Sequence, residues 1–448
     1  MSTIERIRRL TGGQKRTDPK GGRSEELEEL RRRIDAVMSR RPGSQSRTRP
    51  LETDASFGCD GVIDGEELHN DGGTFFATLK RVTSGNPHGF RCPDELTGLD
   101  MRRAALLTGD LQVSAAAVTD ALFLDTETTG LAGGAGTMAF LIGLGWLEGS
   151  AFVTEQLFAR DFREERAALY HLRERAKEKR FLVTFNGKSF DVNLLANRFI
   201  MNRMPDPLSG MPHLDLLHPA RRLLGHRLPD SRLVTIEEKV LGFERDGDVP
   251  GHEIPQRYFD WLRLHDPRLM ADVFEHNRLD VVSLAVLMVH LAELLGSDAG
   301  GVERDHGDIL AAARLLLDRK HRSVALEHLE MLLSCCRDAG VRYEARMMLS
   351  LFHKREGRWD RAVELWESML QETPADVFAS VELAKWYEHR VCDFERALAL
   401  VSNVLDGNDS LEGPLADALL HRLDRLRRRR EPGRQGEKNG TPSGKKQE

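Results

Sequence analysis

The stretch FLDTETTGL, residues 123–131, carries the clearest fold signal in the chain. Its apolar beginning predicts a buried β-strand that ends in an acidic pair. Because side chains alternate along a strand, Asp125 and Glu127 lie on the same face of it. Adjacent carboxylates repel each other unless a cation balances their negative charge. Mg²⁺ or Mn²⁺ usually does so, because these hard cations prefer oxygen ligands. The stretch therefore predicts a metal-binding strand end, with a solvated surface strand that carries two acids as the alternative.

Two later segments add acidic side chains and a histidine. Residues 186–191 read NGKSFD and follow the apolar run FLVTF, so Asp191 lies where a helix would begin. An aspartate at that position is also a common helix cap. Residues 276–280 read HNRLD within a helical pattern, and positions four apart share one helix face, so His276 and Asp280 point the same way. Each segment alone has an ordinary structural explanation, but the combination predicts one site with four carboxylates and an imidazole.

The apolar pattern between residues 119 and 296 is typical of a mixed α/β domain. Strands are predicted at 122–124, 138–147, 152–158 and 181–185, and helices at 164–177, 190–201 and 269–295. Successive strands followed by alternating helices and strands indicate a sheet with helices packed on its faces. Upstream, residues 57–118 are rich in glycine and contain strand-like runs such as 74–82, which predicts a small β-rich segment.

Residues 305–426 are predicted to form an all-α repeat domain. Leu349 recurs as Leu383 after 34 residues, and Trp359 recurs as Phe394 after 35 residues. Small residues where paired helices cross, with aromatic residues between them, resemble tetratricopeptide repeats. Such a stack would offer a surface to a protein partner, and an irregular helical bundle is the alternative.

The charge of the chain is unevenly distributed. The net charge is -6, but residues 1–50 contain 14 Lys or Arg against 7 Asp or Glu, and residues 422–448 contain 10 against 4. Both ends are rich in glycine, proline and polar residues, so residues 1–56 are predicted to be mostly disordered around one helix, and residues 427–448 to be a disordered basic tail. Such ends are either solubilising tails or arms that bind phosphates without sequence preference. The net charge therefore does not exclude a nucleic-acid-binding protein.

The rest of the composition predicts a soluble, cytoplasmic protein without a membrane partner. Five cysteines in 448 residues argue against a disulfide framework. No apolar run reaches the roughly 18–20 residues that a membrane helix needs. The first residues, MSTIERIRRL, lack the apolar segment of a secretory signal.

The acidic segments resemble the motifs of the DEDD exonuclease superfamily, the group that contains the DnaQ-like proofreading domains. The runs FLDTETTGL, FNGKSFD and HNRLDVVSL, with HLDLLHPARR between the last two, resemble more closely the YprB-like branch of ribonuclease H-like proteins. The resemblance covers residues 60–295 and is strongest from residue 120 onward. It implies an α/β fold with a ribonuclease H-like mixed sheet flanked by helices at residues 119–296. Members of this branch often carry tetratricopeptide repeats, which fits the predicted all-α repeat domain.

The resemblance also implies an activity, which is two-metal 3′–5′ exonuclease hydrolysis of phosphodiester bonds at single-stranded ends of DNA or RNA. Asp125 would bridge two Mg²⁺ or Mn²⁺ ions. Glu127 and Asp280 would hold the ion that activates water, and Asp191 would hold the other. His276 would accept the proton of the water. The family usually places this histidine five residues before the last aspartate, whereas here the spacing is four.

Further residues would contact the nucleic acid according to the same resemblance. Thr128, Gly130 and Leu131 match the segment that lies against the terminal nucleotide, and Asn186 and Lys188 would contact phosphate or sugar. A catalytically weak nucleic-acid-binding protein or a repeat scaffold is the alternative to an enzyme. The presence of all four carboxylates favours the enzyme.

Residues 213–227 support weaker expectations. Asp215 is predicted on an apolar helix face, where it would serve either the site or the fold alone. Arg221, Arg222 and Arg227 would either meet phosphates or be ordinary surface charges.

Overall fold

The structure is a computed structural model that describes residues 61–83, 85–130, 136–297, 305–407 and 412–430. The predicted N-terminal segment, residues 1–56, lies outside the described residues, as does the predicted tail after residue 430. The first four residues of that predicted tail, 427–430, instead continue the last helix.

Within the described residues, seven strands form one mixed sheet. They are β1 (Glu66–Asn70), β2 (Gly73–Val82), β3 (Ala121–Thr128), β4 (Ala139–Glu148), β5 (Ala151–Phe158), β6 (Phe181–Thr184) and β7 (His213–Asp215). Their order across the sheet is β1-β2-β5-β4-β3-β6-β7. Strand β6 pairs in parallel with β3 and β7, and the other neighbouring pairs are antiparallel.

The helices of this α/β part surround the sheet. They are α1 (Met101–Thr108), α2 (Leu111–Ser114), α3 (Glu165–Lys177), α4 (Asp191–Met201), α5 (Leu217–Leu224), α6 (Leu233–Ile236), α7 (Ile254–Leu264) and α8 (Arg268–Glu293). A π-helical turn, Glu237–Leu241, extends α6.

Both faces of the sheet are covered because its central strands are apolar on both faces. Strand β4 is buried along its whole length except at Glu148. On β3, Leu122 and Leu124 belong to the core formed with α3 and α4, whereas Phe123 belongs to the core formed with α8. This alternation sets which helix each later residue of β3 faces.

The predicted β-rich segment at residues 57–118 is not a separate unit. Strand β2 pairs with β5 from Phe76 to Val82, so β1 and β2 extend the main sheet at one edge. The described residues after β2 form a loop, a 3-10 turn at Pro93–Gly98 and the helices α1 and α2. The boundary was wrong because the pairing joins strands that are far apart in the chain, which a local pattern does not reveal.

The C-terminal part of the described chain is helical, and the mixed sheet followed by helices confirms the predicted fold class. Its helices are α9 (His306–Asp318), α10 (Arg322–Cys335), α11 (Ala339–Arg355), α12 (Trp359–Glu372), α13 (Val377–Trp386), α14 (Phe394–Asp406) and α15 (Pro414–Arg430). Ala362 and Trp366 of α12, and the residues 35 positions later, Ala397 and Val401 of α14, are buried in one core. The assignment as tetratricopeptide repeats remains a prediction. No helix in the described part of the chain has the length and apolar character needed to cross a membrane.

The two predicted domains share a core. Ala312 and Leu315 of α9 lie in the same apolar cluster as Leu223 of α5 and Leu287 of α8. Because α9 covers apolar surface of the α/β part, the boundary near residue 300 is not a break in the packing.

Candidate active site

The acidic pair lies at the end of β3, on the sheet face that α8 covers. Asp125 and Glu127 follow Phe123 onto this face by strand alternation. The pairing register of β3 with β4 shifts between Glu127 and Thr128, and such an irregularity increases the local twist of a strand. The strand therefore passes from an apolar core to a polar site within a few residues.

A row of residues across four strands fixes Asp125. Thr78, Gln156, Gly143 and Asp125 pair in register on β2, β5, β4 and β3. Asn277 of α8 lies over Gly143, where a Cβ would come within 2.4 Å of the Asn277 Oδ1. Asn277 donates from Nδ2 to the Asp125 Oδ2 at 2.9 Å and accepts at Oδ1 from Gln156 Nε2 at 3.0 Å. Thr78 donates to Gln156 Oε1 at 3.0 Å, so a buried chain of hydrogen bonds orients the Asp125 carboxylate.

Helix α8 brings His276 and Asp280 to the same face as the acidic pair. His276 Nε2 lies 3.7 Å from Asp280 Oδ2 and 3.9 Å from Glu127 Oε1. Ligand atoms of these three residues all lie within 4.8 Å of one another. The four-residue spacing therefore directs the imidazole to the acidic pair, despite its departure from the family pattern.

Asp191 reaches the strand end from the opposite face of the sheet. It is the first residue of α4, and its Oδ1 accepts a hydrogen bond from the Thr126 hydroxyl at 2.5 Å. Thr126 lies between Asp125 and Glu127 in the chain but points to the face that α4 covers. The fourth predicted carboxylate is thus held against the same short stretch of β3.

Asp215 fixes the turn that leads into α4. Its Oδ1 accepts from the backbone N–H of Asn186 at 2.7 Å, and its Oδ2 accepts from the N–H of Lys188 at 3.1 Å. Asn186 has a φ of 67°, an uncommon conformation that these bonds stabilise. The prediction that Asp215 lies on a helix face was wrong, because its segment forms strand β7 beside β6.

The carboxylates raise one another's pKa. Burial raises the pKa of Asp125 well above its usual value, and the charges of Asp280, Glu127 and Asp191 raise it further. Burial raises the pKa of Glu127 to about 8 and that of Asp191 to about 6. A bound divalent cation favours the ionised forms and would reverse these shifts.

Sequence reasoning missed two charged residues of the site, Arg245 and Asp248, which lie in one loop. Arg245, whose side chain is 3% exposed, donates from Nη2 to Glu237 Oε1 at 2.6 Å and also to Asp280 Oδ1. Asp248 contacts His276 Nδ1 at 2.7 Å. Burial alone lowers the pKa of His276, but its acidic neighbours outweigh burial, so its pKa lies above the usual value. The loop GFERDGDV, residues 242–249, has no periodic pattern that would have revealed these partners.

The donor set fits divalent cations. Four carboxylates lie at one strand end, and hard oxygen ligands are those that Mg²⁺ and Mn²⁺ prefer. The guanidinium of Arg245 contacts Asp280 and so offsets part of the negative charge. Burial, and after it the charges of neighbouring acids, raise the pKa values of Asp125, Glu127 and Asp191, and a bound cation would stabilise their ionised forms.

The predicted substrate-contacting residues lie on two sides of the carboxylates. Thr128 ends β3 and donates from its hydroxyl to the Gly130 carbonyl at 3.0 Å, while Leu131 lies outside the described residues. Asn186 is partly buried and Lys188 is exposed in the turn before α4. The structure thus places both groups beside the acids, and their contacts with nucleic acid stay a prediction.

Two of the three arginines that were considered for phosphate binding serve the interface with α9. Arg227 donates from Nε and Nη2 to Asp308 at 3.0 and 2.6 Å. Arg222 forms an ion pair with Asp318. All three arginines are exposed.

Comparison with known proteins concerns the same part of the chain. Residues 122–292 match the family described as RNase_H superfamily, and this range contains the four carboxylates and His276. A Bacillus subtilis (strain 168) protein named "Uncharacterized protein YprB" is 35% identical over 312 residues, which are 68% of this chain and 74% of the relative.

Proposed function

This chain belongs to the ribonuclease H superfamily, and from that premise we propose that it is a divalent-metal-dependent 3′–5′ exonuclease acting on single-stranded DNA or RNA. The observation that carries the proposal is the cluster of Asp125, Glu127, Asp191 and Asp280 at one strand end. Burying carboxylates together is costly unless cations compensate their charge. Catalysis by bound cations is a function that justifies this cost.

The four acids would together provide the ligands of two Mg²⁺ or Mn²⁺ ions. Asp125 would help to hold both ions, because the charges of Asp280, Glu127 and Asp191 all act on its carboxylate. Glu127 and Asp280, which lie on the side of His276, would hold one ion. Asp191 would hold the other ion. When bound, such ions lower the pKa of an attacking water and stabilise charge on the leaving oxygen.

His276 would take the proton from the attacking water. Its Nε2 faces Glu127 and Asp280, the two acids assigned to the ion on the water's side. An imidazole is effective here because its proton affinity lies near neutral pH. These distances would keep the acceptor atom beside the two acids that hold the ion on the water's side.

Nucleic acid would approach over the turn before α4. Lys188 is exposed there and would meet a phosphate, and Asn186 would contact phosphate or sugar. Phe190 is 53% exposed immediately before Asp191, and an exposed aromatic ring supports stacking of an unpaired base. Thr128, Gly130 and Leu131 would contact the terminal nucleotide from the other side.

End-labelled oligonucleotides test the proposal. Single-stranded DNA and RNA, labelled at either end, are incubated with the full chain and Mg²⁺ or Mn²⁺. We expect 5′-labelled strands to yield a ladder of shortened products and 3′-labelled strands to release labelled mononucleotide at once. Release of mononucleotide from the 5′ end, or internal cleavage alone, would contradict the assigned polarity. Absence of cleavage with either metal would favour a nucleic-acid-binding or scaffold role.

A further inference from the structure

Asp248 makes a direct contact with the imidazole of His276. Its Oδ1 lies 2.7 Å from His276 Nδ1, on the side of the ring away from Glu127 and Asp280. The two side chains are 21% and 12% exposed, so water competes little for this bond. A neutral imidazole that donates from Nδ1 to a carboxylate keeps an unprotonated Nε2.

The loop that carries Asp248 is held at both ends. Gly242 has a φ of 66°, and a Cβ there would come within 2.1 Å of the Phe90 ring. At the other end, Val249 is 2% exposed within an apolar core. Between them, Arg245 donates from Nη1 to Asp248 Oδ2 at 3.3 Å. The same Nη1 also lies 3.3 Å from His276 Nδ1, which is a longer contact than the 2.7 Å between Nδ1 and Asp248 Oδ1. Asp248 is therefore fixed before any ligand arrives.

Arg245 joins this loop to the buried interior. Its Nε and Nη2 donate to Glu237, which is 0% exposed, at 2.7 and 2.6 Å. Glu237 also accepts from the Ser283 hydroxyl, and Ser283 lies on the same helix as His276. The loop and α8 are thus tied together beneath the site.

We infer that Asp248 is a positioning residue for His276, and that its contact with Nδ1 fixes the ring so that Nε2 faces Glu127 and Asp280. The inference rests on the proposed function for its catalytic consequence. The four-residue spacing from Asp280 brings the imidazole to the site, and the loop carboxylate behind the ring then fixes its orientation.

A tautomer measurement tests the orientation without any turnover. Histidine nitrogens are observed by ¹⁵N NMR in the metal-free full chain, and His276→Ala identifies the His276 signals. Asp246 is an exposed acid of the same loop, so Asp246→Ala serves as the control. In the wild type and in this control we expect the neutral His276 ring to carry its proton on Nδ1. In Asp248→Ala we expect a shift toward the Nε2–H form. The same tautomer in all three proteins would overturn the inference. If Asp248→Ala does not fold, Asp248→Asn replaces it in this measurement.

A double-mutant cycle tests whether Asp248 acts through His276. We expect Asp248→Ala to lower kcat by about 10- to 100-fold, as loss of a residue behind a site ligand does, with KM little changed. Asp246→Ala should leave both constants unchanged. In a His276→Ala background, Asp248→Ala should cause no further loss. An equal loss in both backgrounds would overturn the inference. If the wild type is inert on all substrates, the proposed function fails, while the tautomer measurement still decides the orientation.

Discussion

At the scale of single residues, Gly143 shows how the site depends on an absent side chain. The space above it holds Asn277, which joins Gln156 to Asp125. No pattern in the sequence marks this glycine, since the contact lies between a strand and a helix far apart in the chain.

Gly143→Ala should displace Asn277 and loosen Asp125. The added Cβ would lie 2.4 Å from the Asn277 Oδ1, so the helix or the amide must shift. We expect a loss of about 1–3 kcal/mol in the free energy of unfolding, typical of overpacking, together with a lower kcat. Urea unfolding and nuclease rates measure both. Gly251→Ala is the control because nothing lies within 4 Å of its Cβ position, and equal losses in the two variants would contradict the account.

Glu127 should make the metal-free protein less stable as the pH rises. Its pKa is raised from 4.5 to about 8 in the folded protein, so between these values the folded state holds a proton that the unfolded chain has released. The stabilising contribution of this proton is complete below pH 4.5. It is lost as the pH rises through about 8. Between these pH values the free energy of unfolding falls by up to about 1.4 kcal/mol per pH unit for one proton.

Glu127→Gln and added Mg²⁺ should each flatten this dependence. Urea unfolding in a chelator, at several pH values, measures the slope. Glu148→Gln, at the exposed end of β4, is the control and should keep the slope of the wild type. A wild type and a Glu127→Gln variant with identical slopes would show that Glu127 is not protonated in the folded protein.

At the scale of elements, the short strand β7 controls the start of α4. Asp215 accepts hydrogen bonds from the backbone N–H groups of Asn186, Lys188 and Leu217. These bonds shape the turn from which Asp191 projects. A strand of three residues gives no periodic signal, and the alternating HLDLLH run was therefore interpreted as a helix face.

Asp215→Ala should destabilise the protein and misplace Asp191. Three backbone donors lose a charged acceptor in a buried setting, so we expect a loss of at least about 2 kcal/mol in the free energy of unfolding. Asp206→Ala is the control, since Asp206 is only partly buried and accepts one such bond, from Leu208. Comparable losses for the two variants in thermal or urea unfolding would argue against this role.

The elements of the site differ in how far the sequence predicts them. The end of β3, the start of α4 and the shared face of His276 and Asp280 follow from local periods of two and of four residues, and the structure has them as predicted. The positions of Arg245 and Asp248 do not, because they depend on how one irregular loop folds over α8. The pairing of β2 with β5 was missed because it joins strands that are far apart in the chain.

At the scale of the whole molecule, the helical part completes the core of the α/β part. Ala312 and Leu315 lie in the core that includes Leu287 of α8, and Arg227 pairs with Asp308 at its edge. The sequence pattern separates the two parts because it registers periodicity and not the contacts between them.

A chain that ends after residue 297 should therefore be unstable. It would expose the apolar surface that α9 covers, and we expect aggregation or a clearly lowered melting temperature. A chain that ends at Glu372 keeps α9 to α12 and is the control, since that surface stays covered. Thermal unfolding and limited proteolysis compare the two. Equal stability would show that α9 is dispensable for the α/β fold.

We propose that the acids at the end of β3 form a metal-dependent nuclease site, a claim that one nuclease assay decides. Labelled single-stranded RNA and DNA are incubated with wild type, Asp125→Asn or Asp246→Asn, in Mg²⁺, Mn²⁺ or chelator. Asp125→Asn and Asp246→Asn remove the same charge, the first from the buried hydrogen-bonded site and the second from an exposed loop. We expect wild type and Asp246→Asn to degrade the substrate only with metal, and folded Asp125→Asn to be inactive. Equal rates for Asp125→Asn and wild type, or a folded wild type that is inert with both metals, would contradict the claim.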